Sequence, residues 1–246
     1  MSSLAPESIV ELGGFPITNT IVATAVVDIV LLALVFQIAT NVSIRPGRVQ
    51  SAIEPVIEGF YSLTEQIAGK YTSSIFPWFV TFFIFIFANN IFGLLPGFGS
   101  IGFFEMHEGK KTLVPLLRAT TSDFNTTLAL ATVSIFATHI LSIKYNGFSQ
   151  YIQRFISLNP IYLFVGLLEL ISEATKLFSL SFRLFGNIYA GEVVLATISG
   201  LFAFLAPIPF LLLETIVALV QALVFAMLTM VFMSILVTPH SEGGEH

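Results

Sequence analysis

The sequence predicts an all-α membrane protein: a single polytopic domain with about five membrane helices plus one interfacial amphipathic helix. Three observations carry that expectation. Hydrophobic residues make up 55% of the 246 and charged residues only 10%, with a mean hydropathy of +0.90, whereas a soluble domain carries about 25% charged residues. Five apolar runs are long enough to cross a hydrocarbon core of about 30 Å, which takes about 20 helical residues. The last two runs exceed that length and are joined by a short proline-bearing connection.

The first span is expected over roughly 17–39, interrupted by Asp28. Asp28 either lines a polar inlet or bonds a neighbouring helix. Within 45–72, Arg45, Arg48, Glu54, Glu58, Glu65 and Lys70 alternate with apolar residues, the pattern of a helix lying in the interface. The second span covers roughly 75–95 and is ended by Pro96-Gly97. Residues 99–125 read as a polar, glycine-bearing loop, and 126–143 as the third span. The fourth and fifth, 160–198 and 208–237, would extend roughly 55–60 Å and about 45 Å as single helices. Tilt or kinks must absorb the excess. With Ala206-Pro207-Ile208-Pro209 between them, they are expected to form a strongly tilted antiparallel hairpin. Basic residues follow the first span and none precede it, so the N-terminus is expected outside and the C-terminus in the cytoplasm. Lys144 and Arg154 agree with that orientation, whereas Lys110, Lys111 and Arg118 do not.

Several functions are excluded. Without cysteine there is no disulfide or thiolate chemistry. There is no glycine-rich phosphate loop, so nucleotide chemistry does not belong to this chain, and no HExxH or nucleophile–base pattern of a hydrolase. Glu105, His107 and Glu108 are too loosely spaced for a metal site, and no cofactor or nucleic-acid partner is implied. The first fifteen residues lack the basic and apolar regions of a signal peptide. A self-contained secondary transporter is the alternative function, but no internal repeat supports it.

Arg183 sits within the fourth apolar run. An arginine at bilayer depth costs roughly 2.5–3.5 kcal/mol on insertion scales, and it cannot escape by losing its proton. Taking Glu169 as zero and advancing 100° per residue, Glu173, Lys176, Arg183 and Asn187 all fall within an arc of about 80°. This is a polar stripe on an apolar helix, flanked by Ser172 and Ser179. Lipid would not tolerate it, so it must face protein or water.

Folding the hairpin about Ala203 brings Glu192 to the depth of Glu214, and Arg183 to that of Gln221. Two carboxylates then lie toward the outer side, Arg183 and Gln221 near the middle, and Glu169 with Glu173 toward the cytoplasm. Carboxylates in a wet cleft exchange protons, whereas a fixed cation repels any cation crossing directly. Two inlets so separated can load and unload a mobile carboxylate on a partner that passes Arg183. The expected function is that of an ion-translocating stator.

At these residues the chain resembles a known family. The run from Ser179 through Arg183, Gly186, Asn187 and Gly191 to Glu192 is similar to the signature helix of subunit a of F-type ATP synthases. Glu169, Ser172, Glu173 and Lys176 upstream, Asn159-Pro160, Glu214 with Gln221, and the Asp123-Phe124-Asn125 run fit the same pattern. The resemblance implies that Arg183 faces the acidic residue of a c-subunit ring. It implies that Asn187, Glu192, Glu214 and Gln221 line the outer half-channel, and Glu169, Ser172 and Glu173 the cytoplasmic one. It further implies subunit b and the catalytic head as further partners; H⁺ is the default ion and Na⁺ stays open, because selectivity in that family resides mainly in the ring's own site. Composition favours a bacterial inner membrane over an organelle as the expected place, and the role that the resemblance implies is non-catalytic.

Bland roles stand beside these. Arg183 could pair with Glu169, Glu173 or Glu192 as a structural ion pair. Lys176 is expected to neutralise Glu173 or reach toward an interface. His139 is expected to be a satisfied packing residue in preference to a proton relay. Asn89 and Asn90 are expected to bond neighbouring helices, and Gly186 and Gly191 to permit close approach of a helix or ring.

Overall fold

The computed structural model describes residues 8–12, 15–44, 46–95, 102–107, 110–155, 160–201 and 207–238. Arg45, Glu108, Asn159, Ala203 and the side chains of Glu105, His107, Lys110 and Lys111 lie outside the described residues.

A short hairpin, β1 (Ser8–Leu12) and β2 (Phe15–Thr18), leads into α1 (Asn19–Thr40). Next come α2 (Arg48–Ala68) and α3 (Thr72–Leu94), separated by a 3-10 turn at Gly69–Tyr71. A second antiparallel hairpin, β3 (Gly102–His107) with β4 (Lys110–Pro115), and a 3-10 turn at Thr120–Ser122 precede α4 (Phe124–Asn146). The chain ends with α5 (Phe148–Phe155), α6 (Pro160–Leu201) and α7 (Pro207–Val237). Four helices are long and apolar enough to cross a membrane, five when α5 and α6 are taken as one bent span. The chain is an all-α multi-pass membrane protein.

Local chemistry places the boundaries. Proline opens both α6 and α7, where its fixed φ suits the first helical position and its missing N–H is not needed. Asp123 caps α4, its Oδ1 accepting the Asn125 N–H at 2.9 Å. Gly69, at φ 52°, ends α2 in a backbone conformation that glycine adopts without strain. There the chain turns back, since Phe60 of α2 stacks edge-on against Phe79 and Phe83 of α3 at 5.3 and 4.9 Å.

α7 is the centre of the bundle and packs against α3, α4, α6 and α2. Ala218, Ala222 and Ala226 recur every fourth residue and are fully buried, so neighbouring backbones approach closely. Ile75, Phe79, Phe82 and Ile86 of α3 fill the facing layer, with Phe82 and Phe225 rings 5.7 Å apart. Lipid offers no hydrophobic drive between helices, and hydroxyls supply bonds across the seams. Ser134 meets Thr229 at 2.7 Å, Ser142 donates to the Leu236 carbonyl at 3.0 Å, and Thr127 meets Ser181 at 3.2 Å. Asn90 reaches the Ala218 carbonyl of α7 at 3.4 Å and accepts from Thr121 at 2.6 Å. Asn89, expected to do the same, donates within its own helix to Phe85.

Apolar side chains such as Leu32 and Phe36 on α1 and Leu163, Phe164 and Leu167 on α6 point outward and are exposed. Lipid is the solvent that such a surface fits. Two features lie where the sequence reads as loop: the β3–β4 hairpin and the eight-residue α5. Both are too short to show a period that stands out from the surrounding chain.

Candidate functional site

α6 is 42 residues, about 63 Å of helix, and carries more charged side chains than α1, α3, α4 or α7: Glu169, Glu173, Lys176, Arg183 and Glu192. Leu180, Ser181, Leu184 and Ile188 form its buried face. The opposite face shows Ser172, Thr175, Ser179, Arg183, Gly186 and Ala190 in the open. Arg183 is exposed there, and its Nη2 reaches Ser179 Oγ, one turn back, at 3.4 Å. A groove of about 440 Å³ runs along this face, lined by Ser172, Thr175, Lys176, Ser179, Arg183 and Phe232 among others. Beside Arg183, a Cβ on Gly186 would meet no other part of the fold within 4 Å, so its surface is open to a neighbour.

The carboxylates of α6 that could neutralise Arg183 are each held by another cation. Glu169 accepts from Arg154 of α5. Glu173 is buried against α4, accepting from Lys176 Nζ at 2.7 Å and lying 3.8 Å from His139 Nε2. Glu192 lies 3.8 Å from Nε of Arg118, which is itself 6% exposed. Among the described residues, Arg183 makes no ion pair. The buried structural pair that was its bland role is therefore absent among them.

α6 and α7 run antiparallel with close register. Asn187 Nδ2 donates to Gln221 Oε1 at 2.7 Å, one turn from Arg183. Nearer the α6–α7 connection, the Glu214 carboxyl lies where a Cβ on Gly191 would stand. Glycine at 191 is what lets that carboxyl sit against the α6 backbone. Glu214 and Gln221 are buried, 8% and 4% exposed. Glu192 Oε2, Glu214 Oε1 and Gln221 Nε2 are buried without a hydrogen-bond partner among the described residues. Buried polar atoms in that condition are sites for water or a passing ion.

The opposite end of α6 is braced by α5. Tyr151 OH lies 3.1 Å from His139 Nδ1, and Tyr151 and Phe155 pack on the imidazole. Gly166 of α6 sits directly against the Phe155 carbonyl. His139 is thus a satisfied side chain within a charged cluster. Lys176 both neutralises Glu173 and lies 4.8 Å over the Phe232 ring. Asp28 is partly buried on α1 and has no hydrogen bond or ion pair among the described residues.

Set beside the sequence, the single polar stripe divides. Glu169 and Glu173 turn toward α5 and α4, and Asn187, itself exposed, reaches α7 through Gln221, while Ser172, Ser179 and Arg183 turn outward. An arc of about 80° is wide enough to straddle the boundary between a buried and an exposed face. Arg183 matches Gln221 in depth, but the contact belongs to Asn187. Arg118 and Arg154 were not expected at the site. Both were read as loop charges that only set orientation, and no local pattern distinguishes a loop arginine that turns into the bundle.

The family model described as ATP synthase A chain matches residues 18–234. Over 240 residues the chain is 33% identical to ATP synthase subunit a of Moorella thermoacetica, covering 98% of this chain and 100% of that one. It is 33% identical over 218 residues to ATP synthase subunit a of Trichlorobacter lovleyi, covering 87% and 85% of the two. The protein of the same name from Legionella pneumophila is 28% identical over 225 residues, 91% and 88% of the two. A match across nearly all of its membrane helices, on a fold that leaves one intramembrane arginine exposed and unpaired among the described residues, makes this chain a member of the ATP synthase A chain family.

Proposed function

We propose that this chain is the proton-translocating stator of the membrane sector of an F-type ATP synthase, lying against a ring of c subunits. The observation that supports it best is Arg183: permanently charged, on an exposed helix face, with the nearby carboxylates committed to other cations. An intramembrane guanidinium without an internal counter-ion calls for one from a partner. A ring carboxylate passing along the Ser172–Ala190 face meets it there and is forced to ionise.

The two ends of α6 are the two routes. Asn187, Glu192, Glu214 and Gln221 are the outer half-channel, where Glu192 and Glu214 carry oxygens free to exchange protons. Glu169, Ser172 and Glu173 mark the cytoplasmic one. Ser172 and Ser179 line the open groove that leads to Arg183, while Glu169 and Glu173 set the charge behind it. Protons pass between the routes only on the ring, because Arg183 repels any ion crossing directly. Each charge moved is worth about 2.3 kcal/mol per 100 mV. ATP chemistry falls to the catalytic head, held through subunit b. The chain lies in a bacterial inner membrane, N-terminus outside and C-terminus cytoplasmic.

The test is Arg183→Ala in the assembled complex. ATP-driven acidification of inverted vesicles is expected to be abolished, and passive proton conduction is expected to rise or stay level. Full coupled pumping by that variant would overturn the assignment.

A further inference from the structure

We propose that Arg118 is a positioning residue for ion passage through Glu192, a second arginine on which transport by this chain depends. The inference rests on the reading that Glu192 lies on the outer route, and it assigns that route's geometry to a residue outside the hairpin.

The segment that carries Arg118 is braced on several sides. Thr121 donates to Asn90 of α3 at 2.6 Å, and Thr20 of α1 donates to Asp123 at 3.1 Å. A Cβ on Gly93 would meet Ala119 at 2.6 Å, so the segment lies hard against α3. Arg118 Nε donates to Ser122 Oγ at 3.1 Å. The guanidinium is therefore delivered to α6 by a fixed strut.

Chemistry selects its anion. An arginine cannot shed its proton, and a buried one must lie near negative charge. Asp123 is the acid nearest in sequence, but both its oxygens are engaged: Oδ1 accepts the Asn125 N–H and Oδ2 the Thr20 hydroxyl. Glu192 Oε1 is the carboxylate oxygen that faces Arg118, at 3.8 Å. The other oxygen, Oε2, is buried without a protein partner among the described residues. One oxygen is restrained by the guanidinium, and the other is left to take a proton from water and give it up again. Restraining Oε1 fixes where Oε2 points. Without Arg118, the carboxylate swings about its own side-chain torsions and the transfer geometry is lost.

The test measures ATP-driven acidification of inverted vesicles per assembled complex. Arg118→Gln is expected to lower it about tenfold, equivalent to about 1.4 kcal/mol of lost restraint on the carboxylate. Arg118→Lys, which keeps the charge, is expected to recover to within about threefold of wild type. In a Glu192→Gln background, Arg118→Gln is expected to change pumping by less than about twofold, because a residue acting through Glu192 has nothing left to act on. Wild-type pumping by Arg118→Gln overturns the proposal, as does a lysine variant no better than glutamine, or losses that multiply in the double variant. Should Arg118→Gln fail to assemble, Arg118→Gln/Glu192→Gln decides, since it leaves no buried charge unpaired. Pumping equal to Glu192→Gln alone supports the proposal, and a further loss overturns it. Wild-type pumping by Glu192→Gln alone would remove Glu192 from the route and overturn both readings.

Discussion

The Asn187 amide donates to Gln221 Oε1 at 2.7 Å and ties α6 to α7 one helical turn from Arg183. The bond fixes the rotation of α6 at the level where its charge must face outward. Rotation matters more than depth here. A turn of about 100°, one residue's step, would carry Arg183 from the open face to the bundle interior.

Gln221→Leu removes the acceptor and keeps the volume roughly constant. Hydrogen bonds between membrane helices are worth about 0.6 kcal/mol on average and up to about 1.7. Coupled pumping is expected to fall roughly three- to eighteen-fold with assembly intact. Vesicle acidification normalised to assembled complex checks this, and an unchanged rate would show that the bond does not hold the rotation.

At Gly191 the added methyl of alanine would occupy the space of the Glu214 carboxyl. That carboxyl is the end of a flexible side chain, so the fold is expected to survive while Glu214 is displaced. Gly191→Ala should therefore impair pumping far more than thermal stability. Gly191→Ala/Glu214→Asp, which shortens the acid by one methylene, should restore part of the rate. Absence of any restoration would point to helix separation instead.

Lys176 and Glu173 form a mostly buried pair. Lys176→Met leaves the carboxylate with His139 alone and is expected to cost about 1.5–3 kcal/mol of stability. Lys176→Met/Glu173→Gln is expected to cost less than the single change, because no unpaired charge remains. Thermal unfolding of the detergent-solubilised protein distinguishes these outcomes, and a double variant less stable than the single one would contradict the pairing.

α5 rests on α6 where Gly166 meets the Phe155 carbonyl, a backbone atom that cannot swing aside. Gly166→Val is expected to undock α5 and expose Arg154. Trypsin should then cleave after Arg154 several-fold faster in vesicles that present this face. Cleavage at the wild-type rate would mean that the Arg154–Glu169 pair alone holds the helix.

Much of the architecture was legible because apolar length and helical period are local properties. The apolar stretches that correspond to α1, α3, α4, α6 and α7 stand out from their neighbours, and prolines open the last two helices. The β3–β4 hairpin and α5 were not legible, since six and eight residues hold too few repeats to stand out. Within the site, the mirror positions of Glu192 and Glu214 followed from counting along a hairpin. The partners of those acids did not.

From the sequence by itself come the membrane class, the antiparallel pair of overlong helices, and a charge at Arg183 that no change of protonation can remove. Those are consequences of composition, spacing and one side chain's chemistry. Only the tertiary structure decided which acid belongs to which cation: Glu192 to Arg118, Glu169 to Arg154, Glu173 to Lys176, leaving Arg183 on the outer face. Ion pairing depends on how each helix is rotated and on which distant segment is packed beside it. Neither quantity is written in the order of residues along one helix.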